Sequence, residues 1–236
     1  MIIARAILNI EKTKNEIYSG NPWVNHRAEV ENYFLRNKDA YFNRIIDLIN
    51  IAKYHNSDIL LLPAIGIVYS NKKELLNYLN YVENDLLIVS GTLDISQKNG
   101  ENAIFYNKKN KKDHTMTMDS VYSILYQGIP IYGAISSTIT NLYKNKPVEE
   151  LEGDNIDKKK YIALDMGHHQ YSGRYMLSIK AVHRLLKTKY GGKHIVILSF
   201  WRFNDGYINS NWFYSNFDVK CKRHQYNNDL IDILEY

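Results

Sequence analysis

Residues that could do chemistry cluster directly after one apolar segment in the second half of the chain. Asp165 lies near the end of the segment 161–166, and His168 and His169 follow in the loop. Carboxylate and imidazole groups at a strand end can bind a metal ion or move protons, and α/β proteins commonly place their sites at strand ends. With Arg174 on the first turn of a predicted helix, the sequence predicts a polar site here.

The two histidines are also the candidate metal ligands of this loop. Adjacent side chains point in different directions unless the loop turns tightly. The alternative interpretation is therefore that one imidazole caps backbone groups and the other is solvated, and on this interpretation we expect no metal and no other cofactor.

The elements that must position these residues follow an α/β pattern. Residues 2–9 predict an opening strand, and residues 39–53 predict a helix because their apolar residues recur at spacings of three to four. The remaining assignments are a strand at 58–62, a helix from an N-cap at Ser70 to about 83, strands at 86–93, 100–106, 114–121 and 161–166, a helix at 172–190 and a strand at 194–200. Residues 122–157 give no assignment.

Length and composition favour one folded domain over residues 1–236, with residues 203–236 as a C-terminal extension or interface segment. The chain has 236 residues, of which 45% are hydrophobic and 23% charged. No apolar run reaches the roughly 20 residues that a membrane helix needs, so we expect no membrane contact and a cytoplasmic protein. The single cysteine, Cys221, excludes an internal disulfide and predicts an idle thiol.

Aromatic residues are dense after the last predicted strand. Trp201, Phe203, Trp212 and Phe213 could form an interface with a partner, because aromatic residues are enriched in such surfaces. The alternative is that they pack in the core or as a lid over the sheet edge.

Three segments resemble the nitrilase, or carbon–nitrogen hydrolase, superfamily. The segment 57–63 is similar to the family's strand that ends in Pro-Glu, and 87–94 with 101–106 is similar to its glycine-bearing strand and the neighbouring strand. The segments 161–166 and 193–201 look like the nucleophile strand and the strand after the next helix. The resemblance implies an αββα sandwich and a Glu-Lys-Cys triad that hydrolyses nitriles and amides.

The residues at the corresponding positions differ from that triad. Ala64 stands where the resemblance places the glutamate, Asp119 lies near the lysine position, and Asp165 lies near the cysteine position. Carboxylate, ammonium and thiolate serve as base, oxyanion stabiliser and nucleophile. The resemblance therefore implies a degenerate member of the family.

Two main hypotheses follow. The first is a catalytically inactive nitrilase-like domain that acts as a binding or assembly module, in a homo-oligomer or with another protein. The alternative is a hydrolase with different chemistry at Asp165, His168 and His169, directed at nucleic acid or part of a bacterial defence system. A net charge of +5 permits a nucleic-acid partner, but the lysines are spread along the chain.

Overall fold

The computed structural model describes residues 1–10, 22–83, 85–97, 101–108, 122–126, 129–135, 160–166, 193–203 and 220–235. These residues form three helices and eleven strands. The helices are α1 (Pro22–Arg36), α2 (Lys38–Tyr54) and α3 (Lys72–Leu79). The strands are β1 (Ile2–Ile10), β2 (Ile59–Leu61), β3 (Ile67–Tyr69), β4 (Leu87–Asp94), β5 (Glu101–Asn107), β6 (Tyr122–Tyr126), β7 (Ile129–Ile135), β8 (Lys160–Met166), β9 (Lys193–Phe203), β10 (Lys220–Tyr226) and β11 (Asp229–Glu235).

Strand β1 is central to the strand network. It pairs with β2 in parallel, with β11 antiparallel and, through its last four residues, with β9 in parallel. Strand β11 pairs on its other side with β10. The predicted C-terminal extension therefore supplies two strands to the sheet that contains the N-terminus.

Strand β4 carries two short strands in succession along one edge. Its first half, Leu87–Val89, pairs with β2, and its second half, Thr92–Asp94, pairs with β3. Strand β5 pairs antiparallel along the opposite edge. The segment 62–66 therefore interrupts what would otherwise be one long strand beside β4.

Strand β9 links this group to a second one. Residues 200–203 of β9 pair with β1, whereas residues 193–199 pair in parallel with β8. Strand β8 continues to β7, and β7 forms an antiparallel hairpin with β6. The order along the main path is β3-β4-β2-β1-β9-β8-β7-β6.

Helix α2 packs on the sheet through the apolar stripe predicted from its sequence. Its buried residues are Tyr41, Ile45, Ile46, Leu48, Ile49 and Ala52. They meet buried residues of β1, β2 and β4 in one apolar core. The amphipathic spacing fixes this contact, because the helix must bury that stripe.

Several predicted boundaries need correction. The N-cap of α3 is Asn71, not Ser70, because the Asn71 side chain accepts a hydrogen bond from the Glu74 backbone N–H at 3.1 Å. The Glu74 carboxylate in turn accepts from the Ser70 backbone N–H at 2.7 Å, which is the reciprocal arrangement of a capping box displaced by one residue. The predicted strand 114–121 and the predicted helix 172–190 lie outside the described residues.

Other assignments at 2–9, 39–53, 58–62, 86–93, 100–106, 161–166 and 194–200 are confirmed within two or three residues. The segment 122–157 contains β6 and β7, for which the sequence pattern gives no assignment. Helix α1 was also missed. It begins at Pro22, a residue that suits the first helical position because it has no N–H to leave without a partner.

Candidate functional site

The position where the resemblance places a catalytic glutamate lies in the segment 62–66, between β2 and β3. Ala64 is there, fully buried, and its neighbours Pro63, Ile65 and Gly66 are buried as well. None of these side chains ionises. The described part of the site is therefore an apolar loop inside the core.

Backbone hydrogen bonds fix this loop against β4. The Pro63 carbonyl oxygen accepts from the N–H of Gly66 at 3.0 Å and from the N–H of Gly91 at 3.1 Å. The Leu62 N–H donates to the Val89 carbonyl at 2.8 Å. These bonds satisfy backbone groups that burial would otherwise leave without water or a partner.

Tyr41 of α2 closes the loop from the helix side. Its hydroxyl lies 3.1 Å from the carbonyl oxygen of Ile65 and 3.0 Å from that of Gly66, and the side chain is fully buried. Burial raises the pKa of Tyr41 well above its ordinary value. The hydroxyl therefore remains protonated and serves as a donor to the loop.

Gly91 is required because the loop passes directly over β4. A Cβ at Gly91 would lie 2.5 Å from the Ala64 Cα and 2.7 Å from the Ile65 nitrogen. Both are backbone atoms, which cannot move aside as the end of a flexible side chain could. This contact explains the glycine in the strand that the sequence analysis singled out.

Ile65 has an unusual backbone conformation. Its φ is +55°, in the left-handed region that β-branched residues rarely adopt. Such conformations cost on the order of 1–3 kcal/mol and persist where the surroundings hold them in place. Here the Tyr41 hydrogen bond and the packing on Gly91 hold the loop.

Trp201 of β9 occupies the space beside Ala64. The indole Nε1–H donates to the Ala64 carbonyl oxygen at 2.6 Å, and the side chain is fully buried. The prediction that Trp201 contributes to an interface is therefore wrong for this residue, because its side chain is inside the chain's own core.

A largely buried ion pair lies over the ring of Trp201. The Arg44 guanidinium is 5.6 Å from the Trp201 ring centroid and binds the Asp229 carboxylate through two nitrogens. Asp229 also accepts from the Asn9 backbone N–H at 2.8 Å. Burial alone would lower the pKa of Arg44, but hydrogen bonds to Asp229 and its negative charge raise it, so the guanidinium stays charged.

A second buried charge cluster joins β1, β11 and β10 in one row across the sheet. Asp232 pairs in register with both Arg5 and Arg223, and the side chains of Arg5 and Asp232 are fully buried. Arg223 donates to the two carboxylate oxygens at 2.7 and 2.9 Å. Sequence reasoning missed this cluster, because the partners are 9 and 227 residues apart along the chain.

The predicted polar site is described only in part. Asp165 is the next-to-last residue of β8, where its backbone pairs with Ala134 on one side and Leu198 on the other. The other predicted residues of this site, His168, His169 and Arg174, lie outside the described residues, as does Asp119.

The structure describes one of the three other predicted interface residues, Phe203, and also describes the cysteine. Phe203 ends β9, and Trp212 and Phe213 lie outside the described part of the chain. Cys221 lies on β10 opposite Leu234, and it is partly buried and forms no disulfide. The described residues contain no group of three His, Cys, Asp or Glu side chains that could hold a metal ion.

A shallow groove of about 220 Å³ lies on the helical face, away from the Ala64 loop. Its floor is aromatic, with Phe42 and Tyr78 at a centroid distance of 4.6 Å, and the Lys38–Glu74 ion pair lies at its rim. Leu35 on α1 and Leu76 on α3 are 56% and 43% exposed. Large apolar side chains are therefore exposed on the helices that border the groove.

Solved structures provide the comparison with known proteins. A glutamine-dependent NAD+ synthetase from Acinetobacter baumannii, in complex with ADP, matches 84% of this chain at 13% identity with a TM-score of 0.51. A mutant of an amidase from the nitrilase superfamily, from Nesterenkonia AN1, matches 85% of this chain and 77% of its own at 8% identity and a TM-score of 0.47. The fold is nitrilase-like.

The nitrilase-like fold is a statement about architecture alone. This chain spans 38% of the length of the NAD+ synthetase. No protein-family model and no curated protein sequence matches it. Among the described residues, no helix is both long enough and apolar enough to cross a membrane.

Proposed function

We propose that this chain is a nitrilase-like domain that has lost the hydrolytic chemistry of the family and acts as a binding or assembly module, in a homo-oligomer or with another protein. The observation that carries the proposal is the environment of Ala64. A methyl group occupies the position expected for the general base, and the Trp201 indole binds its carbonyl oxygen.

A general base must lie within about 2.6–3.2 Å of the proton that it removes, directly or through one water. The loop that should carry this base offers Pro63, Ala64 and Ile65, and all three are buried. Its backbone is held by β4 and Tyr41. No proton acceptor of the required kind stands in the loop.

The nucleophile is the second consideration. Cys221 is the only cysteine of the sequence, and it lies on β10. The strands β10, β11, β1 and β2 are neighbours in this order, so three spacings of about 4.8 Å place β10 roughly 14 Å from β2. A thiolate there is out of hydrogen-bond reach of the segment that follows β2.

The surface of the helices supports the second half of the proposal. Leu35 on α1, Leu76 on α3 and Tyr81 after α3 are exposed, and the Tyr81 ring lies 6.1 Å from the Phe42 ring in the aromatic groove. Exposed aromatic side chains are enriched in surfaces that contact another protein. In a binding or assembly module, a second protein or a second copy of the chain would cover these exposed side chains.

The experiment combines an activity assay with a mass measurement on the same sample. We expect no ammonia release from a panel of amides and nitriles, and an oligomer in sedimentation equilibrium or a retained partner in pull-down. Leu76→Asp should weaken that association, whereas Asn50→Asp, at an exposed position on α2 about two turns beyond Phe42, should not. Ammonia release that disappears in Cys221→Ala would overturn the loss of hydrolysis, and a monomer without any partner would overturn the assembly role.

A further inference from the structure

A second surface combines exposed aromatic and basic side chains. It is formed by the C-terminal end of α2 and by β10, and we call it the Tyr54–His224 surface: Tyr54, His55, Lys222 and His224. The His55 and His224 rings lie 4.6 Å apart, and the Tyr54 ring stands at 84° to the His55 ring with centroids 5.1 Å apart. Three rings from two elements are therefore in contact.

Tyr54 is the most exposed of the large hydrophobic side chains in the described part of the chain. Its exposed fraction is 82%, although its neighbour His55 is only partly exposed. A tyrosine ring that has so much surface in water buries little area and contributes little to the core. Its ring is free to stack against a flat ligand.

Three lysines lie beside these rings. Lys222 is exposed and makes no ion pair with any described residue, Lys220 is 87% exposed with Glu235 4.0 Å away, and Lys53 on α2 pairs with Glu83 at 2.8 Å. Two carboxylates accept hydrogen bonds from neutral donors: Asp47 from the Tyr226 hydroxyl, and Asp58 from the Ile2 N–H at 2.7 Å. Lys222 is therefore the cation with which an anionic ligand could pair.

The His55 imidazole lies close to two side chains of β10. Partial burial, then the nearby His224 and then Lys222 lower its pKa. A bound anion would oppose the effect of these neighbours, because an opposite charge within a few ångströms favours the protonated imidazole. The surface is therefore suited to phosphate groups.

We propose that the Tyr54–His224 surface binds single-stranded nucleic acid, with a base stacked on Tyr54 and the phosphate backbone along Lys222 and the two histidines. Aromatic platforms beside basic groups are how proteins bind single strands without base-specific hydrogen bonds. Neither Ala64 nor any residue of its loop takes part. This inference therefore goes beyond the proposed function and does not depend on it.

Single strands fit better than two other polyanions. A duplex keeps its bases stacked inside and would use the lysines but leave Tyr54 without a partner. An acidic peptide would satisfy Lys222 and Lys220, yet it would not use the exposed ring. The test distinguishes these ligands because one variant removes the ring of Tyr54 and another changes the charge of Lys222.

The experiment measures binding of fluorescein-labelled oligothymidylate and oligouridylate to the full chain by fluorescence anisotropy. We expect Tyr54→Ala to weaken binding about 5- to 150-fold, the range for the loss of one stacked base. Lys222→Glu should also weaken binding, and Lys222→Ala should reduce the slope of log K against log salt concentration by about 0.7, the value for one phosphate contact of a single strand.

One control keeps the ring, and the other makes the same charge change at another site. Tyr54→Phe retains the aromatic face for stacking, and Lys72→Glu makes the same charge change at an exposed position on α3. Both should bind like the wild type. Circular dichroism melts should show that all variants fold.

Three outcomes would overturn the proposal. One is the same affinity in Tyr54→Ala as in the wild type, which would mean that no base stacks there. Another is equal weakening by Lys72→Glu and Lys222→Glu, which would mean a diffuse charge effect. The third is stronger binding of poly-glutamate than of the oligonucleotides, which would assign the surface to an acidic peptide.

Discussion

The indole of Trp201 donates a hydrogen bond to the carbonyl oxygen of Ala64 at 2.6 Å, deep in the core. This bond ties the end of β9 to the loop that follows β2. The loop is therefore held by hydrogen bonds to three elements: β4, Tyr41 of α2 and Trp201 of β9.

The Trp201 hydrogen bond makes a measurable contribution to stability. Trp201→Phe keeps an aromatic ring but removes the N–H donor, and it leaves the buried Ala64 carbonyl without that partner. We expect a loss of about 1–3 kcal/mol in the free energy of unfolding, more if the smaller ring leaves a cavity. Urea denaturation with an unchanged m-value would measure it. Unaltered stability would contradict the role given to this bond.

Gly91 tests the close packing of the loop on β4. In Gly91→Ala the new methyl carbon would lie 2.5 Å from the Ala64 Cα, so the backbone of the loop must shift. We expect a loss of about 1–3 kcal/mol or more, the range for overpacking in a core. Ser90→Ala, which adds no atom, is the comparison, and it loses only the bond from the Ser90 hydroxyl to the Gly91 carbonyl at 2.7 Å. If Gly91→Ala has the same free energy of unfolding as the wild type, the loop does not pack closely on β4.

A substitution of Asp232 tests the buried charge cluster that joins β1, β11 and β10. Asp232→Asn removes the negative charge between Arg5 and Arg223 and leaves the Arg5 guanidinium buried. We expect a loss of about 3–5 kcal/mol, the usual result of breaking a buried ion pair. Glu235→Gln, at the exposed pair with Lys220, should change stability by no more than about 1 kcal/mol. The two variants should be compared by thermal and urea unfolding, and equal effects would contradict the account.

Asp232 also predicts a pH dependence in acid. Burial alone would raise its pKa, but hydrogen bonds from Arg223 and the charge of Arg5 lower it overall. Its folded pKa is therefore below the unfolded value of about 3.9, so its stabilisation is present above that pH and is lost as the pH falls through the folded pKa. The wild type should lose this contribution at low pH, and Asp232→Asn should lack that part of the acid transition.

His55 predicts a separate pH dependence at higher pH. Partial burial, His224 and Lys222 lower its pKa below the unfolded value of about 6.5. The folded state therefore disfavours protonation, and stability should decrease as the pH falls from about 6.5 through the folded pKa. His55→Gln should flatten this part of a stability–pH curve. A curve of unchanged slope in the variant would show that another group causes the dependence.

The sequence predicts the fold well where apolar spacing alone determines an element. Helix α2 has its apolar residues on one stripe, and β2 is a continuous aliphatic run, so periodicity predicts both elements. Strand β10 gave no such signal, because it is a polar strand whose one described partner is β11. In β11 the buried Asp232 interrupts the apolar pattern, and its pairing with Arg5, 227 residues away, and with Arg223 explains its burial.

The candidate site could be predicted only in its position. The family pattern located Ala64 and Gly91, but the reason for the glycine is a contact between a loop and a strand that no spacing reveals. For Trp201 the dense aromatic residues around it in the sequence allow either an interface or packing in the core. Its hydrogen bond to Ala64 joins residues 137 positions apart, and such contacts depend on the tertiary fold.

The central proposal is that the position where the resemblance places the family's active site is filled and structural. A high-resolution crystal structure of the region between Ala64 and Asp165 tests it most directly. We expect the Trp201 indole nitrogen at hydrogen-bond distance from the Ala64 carbonyl, side chains packed around the Ala64 methyl, and no ligand-sized space beside it. An open polar pocket that holds a metal ion or small molecule on Asp165, His168 or His169 would contradict the claim and favour an enzyme with different chemistry.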